Sequence, residues 1–86
     1  MTDHWYLDAS ALPDRYWARL RGSEVLTLDG ERRGFATAED ARAWLREDEY
    51  EPLLELIDDG ELPAGTEPPQ AADDAALIPL LKQPRP

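Results

Sequence analysis

Arg15-Tyr16-Trp17-Ala18-Arg19-Leu20-Arg21 is the stretch that decides the fold. Its positions alternate with a period of two, so an extended strand here carries Tyr16, Ala18 and Leu20 on one face. Arg15, Trp17, Arg19 and Arg21 fall on the other. Upstream, Trp5-Tyr6-Leu7 is a short apolar run that ends before the turn-prone Pro13-Asp14. Downstream, Arg21-Gly22-Ser23 reads as a tight turn into Glu24-Val25-Leu26-Thr27-Leu28, a strand rich in β-formers. Asp29-Gly30 predicts a type I′ hairpin, because that turn needs positive φ at both central residues. Glu31 to Ala36 then returns as a further strand, which gives an antiparallel meander.

A helix follows. Thr37 is a good N-cap with Asp40 three residues on, an acidic variant of the capping box whose cap is worth about 1 kcal/mol. Ala41, Trp44 and Leu45 share one stripe that can lie on the sheet. Pro52 disfavours helical geometry at Glu51 and suits the first turn after it, so the helix ends near Asp48. A second begins at Pro52, carries Leu53, Leu54, Leu56 and Ile57, and stops at Gly60. The expected fold class is small α+β. A three- to four-stranded antiparallel meander over residues 5–36 packs on two short helices near 38–48 and 52–59, with a flexible C-terminal tail. Residues 1–62 are read as the compact domain. Residues 63–74, with Pro63, Gly65, Pro68 and Pro69, are a Pro/acid-rich linker, and residues 75–86 are an apolar tail that either docks elsewhere or folds back.

Charge narrows the function. The 86 residues carry a formal net charge of −10. Eleven acids and no base lie between Glu47 and Asp74, whereas residues 1–46 nearly balance. Such a chain is repelled by nucleic acid and by anionic membranes, so nucleic acid is an unfavoured partner and no membrane is expected. No apolar run approaches the ~20 residues of a membrane span. The start Met1-Thr2-Asp3-His4 lacks a signal-peptide pattern, which points to the cytoplasm. Eight Arg against one Lys, with no Asn, fits a GC-rich bacterial genome.

Catalysis finds little to work with. There is no Cys, His4 is the single histidine, and Ser10 and Ser23 are the two serines, in a segment with no strand-to-helix elbow. Asp58-Asp59-Gly60-Glu61 clusters carboxylates without calcium-loop spacing. No enzyme activity, metal site or cofactor is therefore expected.

Three surfaces remain. Arg15, Trp17, Arg19 and Arg21, with Arg32 or Arg33 beside them, form a candidate anion-facing platform. The same arginines can instead pair with the chain's own acids while Trp17 covers apolar surface. The second surface surrounds Leu53, Leu54 and Ile57 with Glu51, Glu55, Asp58 and Asp59, joining apolar affinity to charged orientation. The third is the tail, Leu77, Ile78, Leu80 and Leu81, flanked by Lys82 and Arg85.

The run Phe35-Ala36-Thr37-Ala38-Glu39-Asp40-Ala41, coming after strands, resembles the strand–helix junction of HicB-type antitoxins and of integrase arm domains. The motif encodes a strand, a cap and a helix, so the resemblance implies local structure and no particular function.

The leading expectation is a non-enzymatic, acidic protein-interaction module, an accessory or regulatory subunit of a larger bacterial assembly. Its partner is another protein with a basic and apolar surface, and a homodimer is compatible. The alternative is a stoichiometric inhibitor, an antitoxin or nucleic-acid mimic, of a protein with a basic cleft. The third is nucleic-acid binding through the arginine face.

Overall fold

The computed structural model describes residues 3–84. Its strands β1 (Asp3–Asp8), β2 (Arg15–Arg21), β3 (Glu24–Leu26) and β4 (Arg32–Gly34) form the expected antiparallel meander. Helix α1 (Ala38–Glu47) follows, then β5 (Tyr50–Pro52), helix α2 (Leu53–Asp58), the one-turn α3 (Asp74–Leu77) and β6 (Lys82–Gln83). The sheet order is β4-β3-β2-β1-β5, and β6 pairs with Arg15 and Tyr16 of β2. The class is small α+β, but three to four strands is an undercount.

Two strands escaped the sequence pattern for identifiable reasons. Tyr50-Glu51-Pro52 contains a proline and separates two helices, which hides a strand. It pairs with Tyr6, Leu7 and Asp8 of β1 at the sheet edge, where the missing proline N–H removes no ladder bond. Glu49 makes that pairing reachable: its φ of 65° reverses the chain after α1, and its carbonyl accepts from the Ala9 N–H at 2.9 Å. Lys82-Gln83 is too short to show any period. The Asp29-Gly30 hairpin also differs from expectation. Among the described residues Glu49 is the one non-glycine with positive φ, so Asp29 cannot take its type I′ place. Gly30, at φ 81°, instead closes a turn by donating to Thr27 O, and the loop from Thr27 to Glu31 limits β3 and β4 to three residues each.

Opposed residues of an antiparallel pair share a face, and both faces of this sheet are covered. On one, Tyr6, Ala18, Leu20 and Val25 pack against Ala41 and Leu45 of α1, with Phe35, Trp44 and Tyr50 at the rim. Thr37 caps α1 as expected, its hydroxyl oxygen accepting from the Asp40 N–H at 3.1 Å. On the other face, Leu7, Trp17 and Leu26 pack against Leu53, Leu56, Leu62, Leu77 and Leu81. Trp5 stands edge-on to Trp17 with ring centroids 5.9 Å apart. The structure is a sheet between α1 and a second layer made of α2 and the chain's C-terminal segment.

Trp17 is the centre of that second layer, with 0% of its surface exposed. Replacing it by Ala removes the largest fully buried side chain and the layer's main support. Trp17→Ala is expected to cost about 3–5 kcal/mol in chemical denaturation, near the whole stability of a domain this size.

Candidate functional site

The arginine face keeps the predicted register, and of its two readings the structure shows pairing of Arg19, Arg21 and Arg32 with the chain's own acids rather than an open anion-facing platform. Trp5 opposes Arg19, Asp3 opposes Arg21, Arg19 opposes Leu26, and Leu26 opposes Arg32. These side chains therefore share a face with Trp17. Arg19 is only 3% exposed, and its guanidinium makes a bidentate pair with Asp74 at 2.7 and 3.1 Å. Asp74 also accepts from Arg32 at 2.6 Å. Arg21 makes a second bidentate pair with Asp3 at 2.7 and 2.9 Å. Arg15 sits half-buried at the start of β2, opposite Gln83. Arg33 lies on the other face, 5.0 Å over the Trp44 ring. Stacking needs an open ring, and Trp17 offers none. The arginine face is a set of internal ion pairs over a buried tryptophan.

The C-terminal segment supplies the counter-charge. Asp73 caps α3 by accepting from the Ala76 N–H, which sets Asp74 at the first helical position facing Arg19 and Arg32. Leu77 and Leu81 then enter the core, Ile78 packs beside them, and Leu80 stays 40% exposed. Leu81 O accepts the Trp17 backbone N–H at 2.8 Å, and Gln83 accepts from the Trp17 indole N–H at 3.0 Å. The segment thus satisfies both polar groups of Trp17 that point its way. Arg85, expected beside Lys82, lies outside the described residues. Between this segment and the strands is an open cleft of about 830 Å³, lined by Asp3, Trp5, Arg21, Arg32, Pro68 and Asp74 among others.

Electrostatics follow from these pairs. Hydrogen bonds from Arg19 and then Arg32 hold the Asp74 carboxyl far below the usual carboxylate range, against a smaller opposing effect of burial. The Arg21 hydrogen bond lowers Asp3 in the same way. At the opposite edge, burial and then the charges of Asp8, Asp48 and Asp29 push the Tyr50 hydroxyl up to about 12.

The acidic helix divides by its own periodicity. Leu53 and Leu56 are buried and Ile57 is half-buried against the same core. Leu54 points outward at 74% exposure, with Glu55 exposed beside it, Asp58 and Asp59 exposed at the helix end and Glu51 half-buried just before it. Arg46 reaches Glu55 at 3.2 Å. Of the residues expected at a partner contact, Leu54 and its acids are brought together at the surface. Leu53, Leu77 and Leu81 are committed to the interior. Among the described residues no three His, Cys, Asp or Glu side chains converge as a metal-binding group, and no helix is long and apolar enough to cross a membrane.

Sequence reasoning passed over Asp74, placing it at the end of a linker. The signal was present: Asp73-Asp74-Ala75-Ala76-Leu77 is an N-cap followed by helix formers. Comparison with protein-family models, curated proteins and solved structures found no match to this chain.

The Asp74 pairing generates a pH prediction. A depressed folded-state carboxyl contributes stability above its unfolded value of about 3.9, lost as pH falls toward the folded value. Wild type is expected to exceed Asp74→Asn in stability at neutral pH, and the gap is expected to narrow steadily below about pH 4. Urea titrations of both proteins between neutral pH and acid check this; a gap independent of pH would contradict it.

Proposed function

We propose that this chain is a non-enzymatic protein-interaction module that docks on a basic, partly apolar surface of another protein through the outward face of α2. The observation that carries the reading is Leu54, the most exposed large hydrophobic residue described, standing among exposed carboxylates of the same helix. An exposed leucine alone is ordinary. Here Glu51, Glu55, Asp58 and Asp59 surround it, and Glu47, Asp48 and Glu49 at the end of α1 extend the same sign. Such a surface orients a cationic partner at long range and gains affinity by burying the leucine.

The distribution of charge supports this assignment. Arg19, Arg21 and Arg32 are engaged with Asp3 and Asp74, so they do not neutralise the α2 face. Around α2 the one pair described is Arg46 with Glu55, so Glu51, Asp58 and Asp59 keep their charge without a described cationic partner. An accessory or regulatory role in a larger assembly suits a small domain whose recognition surface is a helix face rather than a pocket. Inhibition of a basic cleft by charge mimicry uses the same acids but has no need of Leu54.

The two are separated by variants on this surface, where Leu54, Glu55, Asp58 and Asp59 are exposed and single changes alter folding by about ±0.5 kcal/mol, while Glu51 is half-buried at the edge strand. Partner captured by the immobilised full chain is expected to bind Leu54→Ala roughly tenfold more weakly, a loss of about 1.5 kcal/mol. Replacing Glu51, Glu55, Asp58 and Asp59 together by Lys is expected to abolish capture. Charge mimicry would leave Leu54→Ala unaffected. Capture that survives both variants removes α2 from the interaction altogether.

A further inference from the structure

We propose that the C-terminal segment from Asp73 to Pro84 is an exchangeable element, and that the groove it fills also accepts the same segment from a second copy of this chain. The juxtaposition that carries this is a built docking site joined to its occupant by a tether that has no regular structure and no buried residue. The site has a carboxylate receptor, Arg19 with Arg32, holding Asp74. It has an apolar floor of Leu7, Trp17 and Leu26 that receives Leu77 and Leu81. It has a strand edge, Arg15–Tyr16, that receives Lys82–Gln83.

The tether is different in kind. After the turn in which Thr66 donates to Pro63 O, residues 67–72 form no regular structure and none of them is buried. Pro68 and Pro69 favour extended geometry and carry no backbone N–H of their own. No interaction of the docked segment depends on which chain the tether belongs to, so the exchanged form keeps every bond of the closed form. Exchange of identical elements is a low-cost route to a twofold dimer for that reason. The closed form wins when dilute, because a short tether holds the segment at an effective concentration of ~1 mM. The inference is independent of the α2 surface, which lies outside the groove.

Charge exchange between chains tests the site. In Arg19→Asp the receptor repels Asp74, and in Asp74→Arg the segment repels Arg19 and Arg32. Each single variant is expected to leave its segment undocked. When the two are mixed, the unaltered Asp74 segment of the first meets the intact Arg19–Arg32 receptor of the second. The arginine-bearing segment of the second meets the aspartate introduced into the first. The mixture is expected to form a heterodimer of twice 9.7 kDa by light scattering. Arg19→Asp/Asp74→Arg in one chain is the closed control and is expected to remain monomeric under the same conditions.

Wild type provides the second arm should the single variants fail to fold. Isotope-labelled and unlabelled chains are unfolded together and refolded at ~1 mM, the effective concentration of the tether. The expected result is a dimer fraction with an interchain nuclear Overhauser contact between Leu81 methyls and the Trp17 ring. Monomer alone, or a dimer without that contact, overturns the proposal.

Discussion

The bidentate pair between Arg19 and Asp74 is the interaction on which the second layer of this protein depends. It links the middle strand of the sheet to a residue fifty-five positions later. Arg19 is almost wholly buried, and taking a guanidinium out of water is tolerable only with a partner in fork geometry. Asp74 provides that partner, and Arg32 shares it from β4. The Arg19 Nε remains buried without a hydrogen-bond partner among the described residues, so the carboxylate contact matters all the more to this side chain. Once Asp74 is fixed, α3 aims Leu77 at the core and Leu81 follows. The Trp17 N–H then finds its acceptor in Leu81 O. Charge pairing, apolar burial and backbone satisfaction thus converge on the same short segment.

This arrangement divides the chain's large negative charge into two kinds. Asp3 and Asp74 are consumed internally, by Arg21 and by Arg19 with Arg32. The carboxylates at the end of α1 and around α2 are met by Arg46 alone in the pairs described, through Glu55. Charge paired with the sheet arginines therefore organises the fold, while the acids around α2 define a surface. Leu54 gives that surface an apolar centre because the turn of α2 that buries Leu53 and Leu56 leaves position 54 pointing away. Helix geometry selects which leucine is available to a partner.

Much of the fold was legible because short-range signals agreed. Alternation in residues 15–21 placed Trp17 and Arg19 on one face, and the observed register keeps them there. Thr37 and Asp40 announced α1, and Gly60, at φ 77°, ends the turn after α2 as read. What stayed hidden was long-range. Nothing local says that Tyr50-Glu51-Pro52 pairs with β1, because its proline removes the usual strand signal. Nothing local says that Trp17 is covered, since its cover arrives from Leu77 and Leu81. The paired fate of the arginines was readable as chemistry but not as address: acids were abundant, and only the structure shows that Asp74 is the one that reaches Arg19. The acidic α2 surface was visible in composition, and the structure sharpened it by removing Leu53 from the exposed set.

The most direct test of Asp74 as the keystone of this layer is backbone amide hydrogen exchange at Trp17, whose N–H depends on Leu81 O. In Asp74→Asn, exchange at Trp17 is expected to accelerate strongly, while the amides of Leu20 and Leu45, in the layer under α1, keep their wild-type protection. Local opening of the C-terminal segment gives that selective pattern. Unchanged protection at Trp17 in Asp74→Asn would contradict the account.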